Sequence, residues 1–181
     1  MDVELVRLAQ RGNREAFAAL VPETVDRLFG VAFRILGDRD RADEATQLAV
    51  INAWRKLRSL REPERFEAWS YRLVVSACRD EVRRRPWEVR APAALALLPE
   101  HADAEGQVDE RDRLARAFRR LSVDHRAVIV LHHHLGLPLV EVGRVVGIPT
   151  GTARSRLHYA VRAMRASLER DDELPKARVP A

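Results

Sequence analysis

Hydrophobic residues recur at helical spacing along most of this 181-residue chain. Apolar positions three or four residues apart form one stripe in each of residues 14–36, 40–57 and 66–85, with charged residues opposite. Strict alternation of apolar and polar residues, the pattern of a half-buried strand, is almost absent. The pattern therefore predicts an all-α protein.

One stretch in the middle of the chain interrupts the helical pattern. It contains Pro86, Pro92 and Pro99, and residues 86–112 carry seven Asp or Glu against two Lys or Arg. Proline and an acidic run of this kind are typical of a linker. The sequence therefore predicts two small helical domains joined by a flexible acidic linker. The predicted segments are an N-terminal domain (1–86), the linker (87–110), a C-terminal domain (111–170) and a loose tail (171–181).

Leu139–Ser167 has the pattern of a helix-turn-helix. A short apolar-striped segment is followed by Gly147-Ile148-Pro149 and then by a longer basic segment. Residues 113–170 carry eleven Lys or Arg against three Asp or Glu, which favours a polyanionic partner. The predicted second helix presents donors suited to phosphates and base edges. The alternative interpretation is a solvated basic face on an ordinary surface helix.

Composition and the types of residue present exclude several classes of protein and several kinds of site. Cys78 is the only cysteine, so the chain can form neither an internal disulfide nor a paired-cysteine zinc site. No run of 18 apolar residues occurs, and the N-terminus lacks an apolar signal core, which predicts a cytoplasmic protein without membrane insertion. The sequence shows no catalytic constellation, phosphate-binding glycine loop or metal-ligand set. We therefore expect no enzymatic activity, no cofactor and no bound metal.

Three stretches, in this order, resemble a bacterial RNA polymerase sigma factor of the extracytoplasmic-function (ECF) class. They are RILGDRDRADEATQLAVINAWRKL (34–57), RFEAWSYRLVVSACRDEVRRR (65–85) and the region from 116 to 165 that contains Gly-Thr-x-x-Ser-Arg-Leu at Gly151–Leu157. The resemblance covers roughly residues 3–170. It implies an alternative sigma factor that binds core RNA polymerase and directs initiation at promoters with minus-10 and minus-35 elements.

The resemblance also implies partners and contact residues. The partners would be core polymerase (the β′ clamp and the β subunit), promoter DNA and an anti-sigma factor. The implied polymerase-binding residues are Asp43, Glu44, Gln47, Asn52 and Trp54. The implied minus-10 residues, for recognition and strand opening, are Arg65, Phe66, Trp69, Arg72, Ser76, Arg79 and Arg83. The implied minus-35 residues are Thr152, Arg154, Ser155, Arg156, His158 and Arg162.

Several alternatives stay open at the level of sequence. Trp54, Phe66 and Trp69 could be either contacts or core residues. A conventional helix-turn-helix regulator that acts without polymerase is the second interpretation. Ser70 and Gly143 depart from the family pattern and are expected to loosen packing. The third interpretation is therefore a sigma-like scaffold that has lost promoter opening.

Overall fold

The structure, a computed structural model, describes residues 2–84 and 106–173. Every regular element in these ranges is helical. The helices are α1 (Val3–Gln10), α2 (Arg14–Leu36), α3 (Arg39–Lys56), α4 (Phe66–Arg84), α5 (Gly106–Arg119), α6 (Val123–Ile129), α7 (Leu139–Val146) and α8 (Thr150–Glu173). Two 3₁₀ turns, Leu57–Ser59 and Pro63–Arg65, connect α3 to α4, and a π-helical turn, Val130–His134, follows α6. The predicted all-α fold is confirmed.

Local chemistry explains where several helices begin and end. Asn13 and Asp38 precede α2 and α3, and each side-chain oxygen accepts a hydrogen bond from a backbone N–H of the first turn. Ser122 does the same for α6. Such caps satisfy amides that have no partner inside the helix. Gly37 and Gly147 end α2 and α7 with φ of 73° and 77°, a left-handed conformation that glycine adopts without steric penalty.

Two helices extend beyond the predicted segment boundaries, which remain predictions. Helix α5 begins at Gly106, so the last five residues assigned to the linker are helical. Helix α8 continues to Glu173, three residues into the segment assigned to a loose tail. The rest of the predicted linker (87–105) and of the tail (174–181) lies outside the described residues. Acidic, polar residues can form a helix of this kind when an adjacent apolar stripe anchors it.

A small apolar cluster packs α1 against the start of α2 and the connection to α4. Val6, Leu20, Leu57 and Phe66 are its main buried members. The side chain of Gln10 donates to the carbonyl oxygens of residues 57 and 60, at 3.2 and 2.6 Å. These bonds fix the turn that leads into α4.

The main apolar cluster is shared by both halves of the chain. From the N-terminal half it includes Leu28, Val74 and Val75, and from the C-terminal half Val128 and Val142. Helix α7 packs against α4, and α6 contacts both α2 and α4. The two helical domains therefore lie against each other, an arrangement that the sequence pattern did not predict.

The expectation that Ser70 and Gly143 loosen packing is wrong. Ser70 is buried, and its hydroxyl donates to the carbonyl oxygen of Glu67 at 2.7 Å. Gly143 is also buried, and a Cβ built there would lie 2.8 Å from the carbonyl oxygen of Ile148. The glycine therefore lets the turn of the helix-turn-helix approach α7 closely, and it leaves no void.

Candidate functional site

The outer face of α3 is polar at its start and apolar at its end. Asp43, Glu44 and Gln47 are exposed, and so are Ile51 and Trp54 one and two turns further on. At about 100° per residue, these five positions fall within roughly a third of the helix circumference. The face therefore combines acidic, amide and apolar groups in one continuous strip, which we call the α3 strip.

Trp54 belongs to this strip, but Asn52 does not. The indole of Trp54 is 39% exposed and packs on Phe17, with a ring-centroid distance of 4.8 Å. Trp54 is thus both a packing residue and an accessible one. Asn52 lies about half a turn from Asp43 around the helix and is only partly exposed. The predicted polymerase-binding set is therefore divided by the geometry of α3.

A second strip runs along α4 and the turn before it. Arg65, Trp69, Arg72, Ser76, Arg79 and Arg83 share one side by helical spacing. We call this set the α4 strip. Arg72 and Ser76 are exposed, whereas Arg65 pairs with Glu62 at 2.7 Å and Arg83 pairs with Asp80. The strip therefore offers cations around a partly buried indole.

Phe66 is not on this accessible surface. It is 1% exposed and lies in the cluster around α1, with its ring centroid 5.9 Å from that of Trp69. In this structure it is a core residue that supports Trp69. The sequence alone left Phe66 and Trp69 as either contacts or core residues, and only Trp69 retains exposed surface.

A third surface is the exposed side of α8. Arg154, Ser155, His158 and Arg162 are all exposed and share one face, which we call the α8 face. Thr152 and Arg156 lie on other sides of the helix. Arg156 turns towards α6, where its Nη1 lies 3.6 Å from Oδ2 of Asp124. Four of the six predicted minus-35 residues are therefore presented together.

Behind α4 lies a buried group of polar side chains that connects three helices. Arg41 of α3 and Glu81 of α4 form an ion pair with an Nε–Oε1 distance of 3.6 Å. Arg126 of α6 is also buried, and its Nη1 donates to the carbonyl oxygen of Leu36 at 3.4 Å. Burial lowers the pKa of Arg126 to about 10 and, for Cys78 beside it, raises the thiol pKa to about 12. The ion pair joins α3 to α4, and the hydrogen bond of Arg126 joins α6 to the end of α2.

Comparison with known proteins adds a direct test of the resemblance. Residues 20–88 match the Sigma-70 region 2 family, and residues 112–166 match the Sigma-70, region 4 family. The chain is 32% identical over 155 residues to the ECF RNA polymerase sigma factor SigM of Mycobacterium tuberculosis strain H37Rv, covering 86% of this chain and 78% of that protein. The chain belongs to the ECF class of RNA polymerase sigma factors. Its α3 and α4 strips lie in region 2, and its α8 face lies in region 4.

Other relatives agree with this assignment. The sigma factor is 26% identical over 178 residues to the ECF sigma factor SigW of Bacillus subtilis strain 168, covering 90% of this chain and 94% of that protein. Its fold is similar to that of CnrH, solved in complex with the cytosolic domain of CnrY, with a TM-score of 0.67 and 25% identity over 94% of this chain and 98% of that one. RpoE of Bartonella quintana, solved with the anti-sigma factor NepR, has a similar fold, with a TM-score of 0.65 and 22% identity over 86% of this chain and 98% of that one.

Family membership decides between the functions that the sequence left open. An ECF sigma factor binds core RNA polymerase and directs initiation at specific promoters, so it acts by recognition and not by catalysis. The match of residues 20–88 to region 2 decides against a helix-turn-helix regulator that acts without polymerase. Within the described ranges, no helix is both long and apolar enough to cross a bilayer.

Ile51 and Tyr159 are large exposed residues of the sigma factor that lie beside predicted contacts but were absent from the predicted contact sets. Ile51 is 48% exposed in the middle of the α3 strip, and Tyr159 is 61% exposed beside His158 at the edge of the α8 face. Helical spacing places Ile51 on the same side as Gln47, because residues four apart share a face, but the resemblance did not add it to the contact set. Tyr159 gave no comparable signal, since a single aromatic residue near the polar face of a helix is equally compatible with packing.

Proposed function

We propose that the residue assignments implied by the family resemblance hold for this sigma factor where the geometry brings the residues together. The N-terminal domain, residues 1–86, binds core polymerase and opens minus-10 DNA, and the C-terminal domain, 111–170, reads the minus-35 duplex. The polymerase set is Asp43, Glu44, Gln47 and Trp54. The minus-10 set is Arg65, Trp69, Arg72, Ser76, Arg79 and Arg83. The minus-35 set is Arg154, Ser155, His158 and Arg162, with Thr152 and Arg156 as flanking phosphate contacts.

The observation that carries this proposal is the separation of charge among the three surfaces. The α3 strip begins with two carboxylates, Asp43 and Glu44, which repel nucleic acid, and ends in exposed Ile51 and Trp54. An apolar centre flanked by polar groups is the usual composition of a protein–protein interface. The α4 strip and the α8 face instead present arginines, which bind phosphates. One chain therefore carries a protein-binding surface and two nucleic-acid surfaces.

The α4 strip has the chemistry needed to hold a separated DNA strand. Unpaired bases are stabilised by stacking on aromatic rings, at about 1–3 kcal/mol per base, while cations neutralise the backbone. Trp69 lies between Arg65 and Arg72 in this strip and retains exposed surface. We therefore assign stacking to Trp69 and backbone neutralisation to the arginines.

The α8 face alone is a small recognition surface. Each good bidentate contact discriminates between bases by about 1–3 kcal/mol, and only Arg154 and Arg162 can form a bidentate arginine contact within this face. Attachment to polymerase raises the effective concentration of the second DNA-binding surface once the first is engaged. The α4 strip and the α8 face together then supply the promoter specificity that neither surface supplies alone.

The polymerase assignment is tested by substitution on the α3 strip. The double variant Asp43→Ala with Gln47→Ala should abolish capture by purified core polymerase while the helical circular-dichroism signal is unchanged, because both side chains are exposed. Glu15→Ala, an exposed carboxylate on α2, is the matched control and should bind core normally. Normal core binding by the double variant would refute the assignment, and loss of helical signal would make the two residues structural.

The minus-35 assignment is tested on the assembled holoenzyme. Arg154→Ala should weaken binding to promoter DNA more than binding to random duplex, by about 1–3 kcal/mol at the base it reads. Arg170→Ala is the control, because Arg170 is an exposed arginine on the same helix and lies sixteen residues further along α8, far from the α8 face. Equal losses on both DNAs would make Arg154 a phosphate contact only.

We also propose an anti-sigma factor as a partner and the cytoplasm as the compartment. CnrH was solved with the cytosolic domain of CnrY, and RpoE of Bartonella quintana was solved with the anti-sigma factor NepR. These folds are similar to that of the present chain, which supports a protein partner of the same kind. A polymerase-binding protein acts where the polymerase is, which supports the cytoplasmic assignment.

A further inference from the structure

Tyr159 on α8 is the most exposed large hydrophobic residue in the described ranges. Its side chain is 61% exposed, whereas Ile51, Val140 and Trp54 are 48%, 44% and 39% exposed. A ring with this exposure contributes little to the packing of the fold. Tyrosine combines a large apolar ring with a polar tip, a composition that is enriched at binding interfaces. The ring is therefore available to whatever the α8 face binds.

Helical geometry places Tyr159 between a proposed base reader and a proposed phosphate contact. At about 100° per residue, Tyr159 lies about 40° around α8 from Ser155 of the α8 face and about 20° from Thr152, which flanks that face. All three residues are exposed. When a helix lies in the major groove, the middle of its outer face meets base edges and its flanks approach the sugar–phosphate backbones. Tyr159 is therefore at the boundary between base edges and backbone.

The ring of Tyr159 is held towards the α8 face. Its centroid lies 6.0 Å from that of the His158 ring, and the two planes meet at 69°, an edge-to-face arrangement. Ring pairs of this geometry attract each other. Because His158 belongs to the α8 face, the contact keeps the tyrosine ring beside that face and restricts its rotamers. A side chain that is already ordered loses less conformational entropy when it binds.

The outermost group on the major-groove edge of a base pair is at C5 of the pyrimidine, where thymine carries a methyl group and cytosine a hydrogen. This methyl is the apolar mark that distinguishes thymine in the major groove, and apolar side chains read it. The charged and hydroxyl groups of Arg154, Ser155 and Arg162 offer polar contacts only. Tyr159 adds an apolar surface to them, at the flank where C5 lies.

We propose that Tyr159 is a specificity-determining residue of the minus-35 surface, and that its ring packs on the 5-methyl group of one thymine. This inference rests on the proposed function, since it takes the α8 face to read the minus-35 duplex. The ring would then select thymine over cytosine at a position that the arginines of the α8 face do not read. A hydroxyl contact to a phosphate would instead be independent of sequence, so the effect of the methyl group separates the two roles.

The first measurement locates the base. Wild-type holoenzyme selects DNA from a pool of duplexes that carry one of its mapped promoters with the minus-35 element randomised. Tyr159→Ala and Tyr159→Gln holoenzymes, which lack the ring, should lose a preference for thymine at one position and keep the other preferences. Both variants should keep the helical circular-dichroism signal, because the side chain is exposed. Arg154→Ala should lose a preference at a different position.

The second measurement removes only the methyl group. Deoxyuridine replaces thymidine at the selected position, which leaves base pairing and the O4 acceptor intact. Wild-type holoenzyme should bind the uracil duplex about fourfold less tightly than the thymine duplex, the effect of losing one buried methyl group. Tyr159→Phe keeps the ring and should show the same ratio, whereas Tyr159→Ala should bind both duplexes equally.

Val140→Ala is the matched control, because it shortens an exposed apolar side chain of α7, the other helix of the helix-turn-helix, and should keep the wild-type ratio. Thymine selection that persists in Tyr159→Ala, or a uracil penalty of the same size in that variant, would refute the proposal. Equal losses by Tyr159→Phe and Tyr159→Ala on every duplex would make the hydroxyl a phosphate contact and overturn methyl recognition.

The Arg154→Ala selection distinguishes failure of this inference from failure of the proposed function. If Arg154→Ala changes the selected bases and Tyr159→Ala does not, the tyrosine inference alone is wrong. If neither variant changes the selected bases, the assignment of the α8 face to the minus-35 duplex is wrong, and the tyrosine inference fails with it.

Discussion

The buried ion pair between Arg41 and Glu81 makes a sharp prediction about stability. The two side chains are 4% and 1% exposed, and they join α3, which carries the proposed polymerase surface, to α4, which carries the proposed minus-10 surface. Nη2 of Arg41 also donates to the backbone carbonyl of Glu81 at 3.2 Å, and the second carboxylate oxygen of Glu81 accepts from Arg84 at 2.9 Å. Glu81→Ala therefore leaves the guanidinium of Arg41 buried without its carboxylate.

Burial, and not distance, sets the size of the effect. Removing one partner of a buried pair costs about 3–5 kcal/mol, because the remaining charge stays desolvated. Arg7 and Glu64 form a shorter pair, at 2.7 Å, but their side chains are 48% and 56% exposed. Pairs of that kind contribute less than about 1 kcal/mol, because water screens both charges. Glu81→Ala should therefore destabilise the protein several times more than Glu64→Ala, although its ion-pair distance is the longer one.

Urea unfolding and thermal unfolding, each followed by circular dichroism, measure both variants under the same conditions. For a chain of this length, each 1 kcal/mol corresponds to about 2–4 °C in Tm, so Glu81→Ala should lower Tm by about 6 °C or more. The double variant Arg41→Met with Glu81→Leu should recover most of the loss, because apolar residues of similar volume carry no desolvation penalty. A Glu81→Ala variant within about 1 kcal/mol of the wild type would refute this reasoning, as would a double variant less stable than the single one.

Two further predictions concern packing. Gly143→Val should lower the free energy of unfolding by about 1–3 kcal/mol, because its Cβ would meet the carbonyl oxygen of Ile148 at 2.8 Å, whereas Gly151→Ala, with open space around it, should raise it by about 0.4–1 kcal/mol. Urea unfolding of both variants measures this difference. A Gly143→Val variant as stable as the wild type would show that the turn does not approach α7 closely. Burial raises the pKa of Cys78 to about 12, so at pH 8 its thiol is protonated as well as inaccessible. A thiol reagent at pH 8 should therefore react far more slowly with the folded chain than with the chain in urea, and equal rates would contradict the burial.

Much of the functional surface follows from the sequence because it depends on local spacing. The α8 face and the α4 strip consist of residues three and four apart on single helices, and helical periodicity places such residues on one side without any knowledge of the partner helix. The same reasoning placed Asp43, Gln47 and Trp54 together. Asn52 entered the polymerase set through the family resemblance and not through spacing, and it lies half a turn away around α3.

Helical spacing could not predict contacts between helices that are far apart in sequence. The sequence described Ser70 and Gly143 as departures that loosen packing, whereas one makes a buried hydrogen bond and the other permits a close backbone approach. The sequence pattern predicted no role for Glu81, which lies near the arginine-rich end of α4, yet Glu81 is fully buried. In each case the neighbour that gives the residue its role becomes visible only once the chain has folded.

The sequence by itself determined the helices, the helix-turn-helix, the charge of each surface and the resemblance to ECF sigma factors, because these depend on periodicity and on the order of motifs. Only the tertiary structure decided that the two halves share one apolar cluster and that Asp124 pairs with both Arg79 and Arg156. The physical reason is distance along the chain: these three residues are separated by 45 and 32 positions. No local pattern relates such residues: docking of α6 on α4 brings Asp124 to Arg79, and packing of α6 on α8 brings it to Arg156.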